Sequence, residues 1–317
     1  MIKFVYHPCD ITVKDFGERE ILYAFHDIDG THSLIREWPP VMSIVLDYAS
    51  RGGVPDGYDG DENVRKLIDG AGTRSLPETD RFCVESAGLS ALTQMEWGLR
   101  RAIDAGVVDV FCDRDDNRDK IARIERGEEV FSAPDTPELA SFLAEHTPRL
   151  FKLYEKVLNG YCRDRNLSLA KADPDRFTVK GSKKFLALLR DHGVKNYFVT
   201  GAVVEKGMGM HEEVAALGFG IGEGELVEDI IGSTWTEKLP KDVIMRRLLE
   251  TLGADGKNVL VVGDGRSEIL AGSMMGALCI SRLPKENTYA RELHKTLGTH
   301  VIVEDYTSED LETLIFE

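Results

Sequence analysis

Ile21-Leu22-Tyr23-Ala24-Phe25 runs directly into His26-Asp27-Ile28-Asp29-Gly30-Thr31. A short apolar run that stops in a polar, glycine-containing turn reads as a buried strand whose carboxyl end carries function. Two further stretches have the same form. They are Asn196-Tyr197-Phe198-Val199-Thr200-Gly201 and Asn258-Val259-Leu260-Val261-Val262-Gly263-Asp264-Gly265. Helical patterns lie between and after them. Ser182 to His192 has apolar residues at 185, 186, 188 and 189, and Asp242 to Leu252 has them at 243, 244, 248, 249 and 252. Thr299 to Val303 reads as a last strand, and Met1 to Tyr6 as an added edge strand. Strands alternating with helices predict a parallel α/β sheet, with ligands beyond the carboxyl ends of its strands.

Residues 36–176, between the first two strands, differ in character. Leu89, Leu92, Met95, Leu99 and Ile103 fall on one helix face. Thr136-Pro137-Glu138 has the form of an N-cap followed by proline at the first helical position. Leu150, Leu153, Tyr154 and Val157 form another helical stripe. Loops rich in Gly and Asp separate these helices. The segment is therefore predicted as a mostly helical domain inserted into an α/β core made of 1–35 and 177–317. The length of 317 residues fits this division, because a single core stops growing near roughly 250–300 residues.

Composition excludes several classes. Hydrophobic residues are 42% and charged residues 30% of the chain, so a disordered or fibrous chain is not expected. The net charge of −16, with no Lys/Arg stripe, argues against nucleic acid. No apolar run approaches the ~18 residues of a membrane span, and the start lacks a signal-peptide core. Cys9, Cys83, Cys112, Cys162 and Cys279 are dispersed without a CxxC, which predicts free thiols in a reducing cytoplasm. Two acidic runs fail as calcium loops. The run from Asp113 has Arg118 and Ile124 where the turn glycine and the bidentate acid belong, and the run from Asp59 has Val64 at its sixth position. The glycine run Gly218 to Gly224 does not fit a dinucleotide fingerprint.

Taken singly, two strand-end aspartates, Thr200-Gly201 or Asp264-Gly265 are each an ordinary turn signal. Their order is not ordinary. Asp27 and Asp29 end the first strand, Thr200 the second and Asp264 the third. Lys238 and Lys241 precede a helix, and Glu268 follows Asp264 by four residues. One parallel sheet would bring all of them to its carboxyl edge. In order and strand context they resemble the haloacid dehalogenase superfamily of phosphohydrolases and phosphotransferases, over residues 21–33 and about 178–282.

That resemblance implies a Rossmann-like core, a helical cap domain at 36–176, Mg²⁺ as cofactor and a small phosphorylated metabolite as substrate. It implies Asp27 as the nucleophile that forms an aspartyl phosphate, and Asp29 as general acid and base. Asp27, the backbone carbonyl of Asp29, Asp264 and Glu268 would hold or orient the metal. Thr200, Gly201 and a lysine would bind the phosphoryl group. The lysine is either Lys238, which lacks the proline usual after it, or Lys241, which stands 23 residues before Asp264. The cap segment expected to meet substrate is Glu85 to Gln94, with Glu85, Ser86, Gly88, Thr93 and Gln94 as its polar candidates and an N-cap by Ser86 as the plainer reading.

The chain departs from the family pattern at His26 and at His32-Ser33, where apolar residues are usual. His26 is expected to point into the sheet's flank or a hydrogen bond. Phosphatase is the first reading and phosphomutase the second. A phospho-acceptor without turnover is the third, and Asp29 argues against it.

Overall fold

The computed structural model describes residues 4–6, 11–35, 37–86, 89–128, 135–235, 237 and 239–316, the first three as backbone alone. Nine strands are present among them: β1 (Phe4–Tyr6), β2 (Thr12–Lys14), β3 (Tyr23–His26), β4 (Lys195–Glu205), β5 (Met208–Gly209), β6 (Asp229–Ser233), β7 (Val259–Gly263), β8 (Leu278–Arg282) and β9 (Val301–Val303). They form one sheet in the order β1-β2-β9-β8-β7-β3-β4, and β5 and β6 each pair with β4. From β9 through β3 to β4 and β6 every pairing is parallel, while the β1–β2 hairpin joins β9 antiparallel. The parallel strands are apolar on both faces, as a sheet covered by helices requires: all five residues of β7 are buried.

The division of the chain differs from the expected one in two places. One unit comprises 1–35, 167–233 and 241–317, and the other 36–166 and 234–240. Residues 167–176, expected in the insertion, belong to the sheet unit because Leu167 and Ala170 pack with Ile28, Leu186 and Phe198. Residues 234–240 join the helical unit, where Trp235 lies against Phe151 with ring centroids 5.5 Å apart and under the Lys152 ammonium at 5.1 Å.

The helical unit holds α1 (Pro39–Gly52), α2 (Asp61–Gly70), α3 (Pro77–Glu85), α4 (Ala91–Asp104), α5 (Arg114–Glu125) and α6 (Pro137–Leu158). The predicted stripe Leu92, Met95, Leu99 and Ile103 is buried on α4, and Phe82 of α3 stacks on Trp97 of α4 at 3.9 Å. Arg100 is fully buried on α4, forked onto Asp135 and paired with Glu96, while buried Lys120 of α5 binds the same Asp135. Such a cluster is tolerated in a core only because each charge is paired. Thr136 caps α6 by accepting from the Leu139 N–H at 3.3 Å. Asp113, in the rejected calcium run, caps α5 through the N–H groups of Asp115 and Asp116.

A π-helical turn, Asn159–Arg163, leads into α7 (Asp164–Ala172). The sheet unit continues with α8 (Ser182–Asp191), α9 (Met210–Ala216), α10 (Lys241–Leu252), α11 (Arg266–Met275), α12 (Thr288–Leu297) and α13 (Asp310–Phe316). Among the described residues no helix is long and apolar enough to cross a membrane. Cys83, Cys112 and Cys279 are free thiols, the Cys162 Sγ lies 3.8 Å from Glu37 O, and Cys9 lies outside the described residues.

Candidate active site

Strand register builds the site. His26 lies level with Val262 on β7 and Phe198 on β4. Asp27, which follows β3, and Asp264, which follows β7, therefore leave the sheet from neighbouring strand ends. The Asp27 N–H still donates to Val262 O at 2.9 Å, so the nucleophile candidate is the last residue tied to the sheet. The strand order reverses at β3, since the chain goes from it to β4 and β6 on one side and then to β7, β8 and β9 on the other, and such a switch point is where open α/β sheets place their ligands.

Asp27 is 7% exposed. Lys241, the first residue of α10, donates from Nζ to Asp27 Oδ1 at 2.5 Å and to Glu268 Oε2 at 3.2 Å. The Thr31 hydroxyl lies 3.4 Å from Asp27 Oδ2 and 3.3 Å from Asp264 Oδ1. Burial works against the Lys241 charge, but the Asp27 and Glu268 carboxylates outweigh it and hold the ammonium above its usual range. Burial also pushes Asp27 upward, against the pull of Lys241. Glu268 goes the other way. Burial alone would raise it, but Lys241 and hydrogen bonds that include Ser267 and the Gly265 N–H leave it below its ordinary value.

Besides Lys241, Glu268 is held from its own helix start. Its Oε1 accepts from the Gly265 N–H at 2.5 Å, closing the first turn of α11, and its Oε2 accepts from Ser267 Oγ at 2.8 Å. The glycines before the helix make room for this fold-back. A Cβ on Gly263 would lie 2.2 Å from Glu268 Cγ, and one on Gly265 2.7 Å from Oε1. Glu268 is thus both a helix-start acid and a member of the cluster. Carboxylate oxygens of Asp27, Asp264 and Glu268 lie within 4.8 Å of one another, the one such group among the described residues. An all-oxygen donor set at this spacing fits a hard divalent cation.

Asp29 is half-buried two residues along. Burial lifts its carboxyl well above the usual range, and Glu213 and Asp27 add to the shift. Glu213, on α9, accepts from Ser33 Oγ at 2.9 Å. It belongs to no motif, and nothing in the run Met210 to Ala216 marks it in advance.

Thr200 does not end its strand. β4 continues to Glu205, with an irregularity between Val199 and Val203 in its pairing to β6. Thr200 Oγ1 accepts from the Ala202 N–H at 3.1 Å. Gly201 lies inside the strand instead of at a loop-to-helix turn, and its carbonyl accepts from Ser233 Oγ at 3.5 Å. Lys238 and Gly88 lie outside the described residues. In the expected cap segment Glu85 is exposed, while Ser86, Thr93 and Gln94 are buried. Ser86 follows the end of α3 and is not an N-cap. Its N–H donates back to Phe82 O, and its Oγ accepts from Gln94 Nε2 at 2.9 Å.

No protein-family model matches the chain, and no curated protein matches it in sequence. Solved structures match in shape. One is a phosphonoacetaldehyde hydrolase like protein from Oleispira antarctica, 12% identical, with a TM-score of 0.52 over 95% of this chain and 93% of that one. Another is a Bacteroides vulgatus protein provisionally assigned as a beta-phosphoglucomutase, 12% identical, with a TM-score of 0.51 over 94% of this chain and 90% of that one. At such identities the likeness shows the fold alone, a parallel α/β core with inserted helices that this chain shares with both proteins.

Proposed function

We propose that this protein is a phosphohydrolase that cleaves the phosphate monoester of a small metabolite through an aspartyl phosphate on Asp27. The observation that carries this reading is the convergence of Asp27, Lys241, Asp264 and Glu268 beyond the central strand of the sheet. A phosphoryl group needs a nucleophile, positive charge for its oxygens and an acid for the leaving group.

In the first step an Asp27 carboxylate oxygen bonds to phosphorus and the ester P–O bond breaks. Asp29 gives its proton to the departing alkoxide oxygen. In the second step water bonds to phosphorus, its proton passes to Asp29, and the acyl-phosphate bond breaks to restore Asp27. The upward shift of the Asp29 carboxyl, caused first by burial, supports the acid role because it favours the protonated form. Lys241 neutralises a phosphoryl oxygen, with Lys238 the alternative. The Thr200 hydroxyl hydrogen is a donor for another oxygen, and the backbone around Gly201 lines the same place.

Asp27, Asp264 and Glu268, with the Asp29 carbonyl, would hold Mg²⁺, which when bound offsets the negative charge of the carboxylates and of the phosphoryl oxygens. The helical unit selects the substrate. Exposed Glu85 is the first position to vary there, and a changed substrate ranking in Glu85→Gln supports that role. The cysteines are dispersed without a CxxC, which suits a reducing compartment, and we place the protein in the cytoplasm.

A second reading follows from the fold shared with the Bacteroides vulgatus protein: a phosphomutase, in which a sugar hydroxyl replaces water as the second acceptor. The test is a panel of phosphorylated metabolites incubated with Mg²⁺ or EDTA. Released inorganic phosphate supports the hydrolase. Isomerised sugar phosphate without release supports the mutase. No turnover of any ester under either condition contradicts both.

A further inference from the structure

Beneath the Asp27 loop lies a chain of buried polar side chains that the proposed reaction does not use. His26 Nε2 is 3.1 Å from Asn196 Oδ1, His26 Nδ1 is 3.0 Å from His32 Nε2, and His32 Nδ1 is 3.1 Å from Ser182 Oγ. Both rings are fully buried. The far end of the chain fixes its direction. Asn196 Nδ2 donates to Leu186 O and to Leu226 O, each at 3.0 Å. Two carbonyls can only accept, so the amide nitrogen faces them and the amide oxygen faces His26. His26 must then carry its proton on Nε2. A neutral imidazole has one donor and one acceptor, so His26 Nδ1 accepts from His32 Nε2–H. His32 Nδ1 in turn accepts the Ser182 hydroxyl proton. Reversing one ring sets two acceptors against each other, so the two tautomers change together or not at all.

The chain closes on the loop that carries the chemistry. His26 directly precedes Asp27, and His32 follows Thr31, so their hydrogen bond clasps the base of the Asp27–Thr31 loop. Separate contacts hold the same loop. Tyr306 stacks on the His32 ring at 5.2 Å and donates from its hydroxyl to Thr31 O at 3.1 Å. Arg282 donates from Nη1 to Gly30 O at 3.1 Å.

We infer that His26 and His32 are positioning residues: a one-directional hydrogen-bond chain from Ser182 to Asn196, with both imidazoles as Nε2–H tautomers, sets the conformation of the loop bearing Asp27 and Asp29. Neither ring touches the reacting atoms. They act through the loop backbone, where a displacement of about 1 Å costs on the order of 10²-fold in rate. The link to turnover rests on the phosphohydrolase reading, whereas the tautomers and the loop order do not.

The experiment uses the full chain with ¹⁵N-labelled histidine and labelled backbone, in wild type, His32→Phe, His32→Gln and Ser182→Ala. Ring-nitrogen correlation spectra should show Nε2–H on both residues in wild type. In Ser182→Ala, where Asn196 still fixes the direction of the chain, both rings should remain Nε2–H. Amide order parameters for Asp27 to Thr31 should fall in His32→Phe and recover in His32→Gln, whose amide can donate to His26. On any ester that wild type turns over, kcat should fall roughly 10–100-fold in His32→Phe with KM little changed, and return in His32→Gln. A wild-type ring protonated on Nδ1, or a His32→Phe loop as ordered as wild type, overturns the inference. If His32→Phe does not fold, Ser182→Ala decides the matter, and a ring protonated on Nδ1 in that variant overturns the inference. If wild type hydrolyses nothing, the phosphohydrolase reading fails while the spectra still decide this one.

Discussion

The Lys241 ammonium lies 2.5 Å from Asp27 Oδ1 and 3.2 Å from Glu268 Oε2, so one buried cation binds two of the three carboxylates in the acidic cluster. Lys241→Met removes that charge and leaves both acids in a site from which water is largely excluded. Breaking a buried pair in this way costs about 3–5 kcal/mol. Thermal and urea unfolding of the variant should show a loss of this size, and added Mg²⁺ should recover part of it. A variant as stable as wild type without metal would mean that the cluster relaxes without Lys241.

Gly263→Ala places a methyl group 2.2 Å from Glu268 Cγ and forces the carboxylate off its present position. Displacing a group that orients a metal site costs roughly 10–100-fold in metal affinity. The Mg²⁺ concentration for half-maximal activity should rise by that factor, with the helix of Glu268 otherwise intact. An unchanged requirement would remove Glu268 from the metal site.

Asp29→Asn should lose turnover by about 10²–10⁴-fold on alkyl phosphates, the usual span for a general acid. The loss on p-nitrophenyl phosphate should be much smaller, because that leaving group hardly needs a proton. Equal losses on both would assign Asp29 a structural role. Glu213→Gln should move the same comparison more weakly, since Glu213 raises the Asp29 carboxyl without meeting the substrate.

Burial holds His26 and His300 at about 4 and His32 well below its ordinary value. In the unfolded chain such imidazoles titrate near ~6.5. The unfolded state therefore takes up protons first as pH falls, and the stability that each neutral ring contributes is present above that value and lost below it. Asp27 and Asp29, shifted upward, tilt the curve the other way, so the measurement is the difference between wild type and His32→Gln. That difference should grow in favour of wild type as pH rises from 5 to 7. A difference independent of pH would mean that His32 titrates alike in both states.

The strand ends were legible because each joins a local apolar run to a polar turn. The spacing from Lys241 to Asp264 was legible because it is a property of the chain itself. What escaped depends on partners far away in sequence. Thr200 looked terminal because Gly201 follows it, yet pairing with β6 at Val203 and with β5 at Val204 and Glu205 carries β4 five residues further. Ser86 reads as a helix start from its neighbours, but its hydrogen bonds face back to Phe82 and across to Gln94. Residues 167–176 are as helical in pattern as the insertion, and their contacts with Ile28 and Phe198 assign them to the sheet unit. Glu213 lies 180 positions from Ser33, and Tyr306 lies 275 from Thr31. No local pattern announces either.

The central claim is that Asp27 accepts the phosphoryl group. The most direct test is mass spectrometry of the protein, acid-quenched during turnover of an ester identified by the metabolite panel, in wild type and Asp27→Asn. The account predicts a phosphoryl mass increment on the wild-type peptide containing Asp27, absent from Asp27→Asn, whose turnover falls to background. A phosphoryl group on another residue, or an Asp27→Asn variant that keeps more than about a tenth of wild-type turnover, would contradict it.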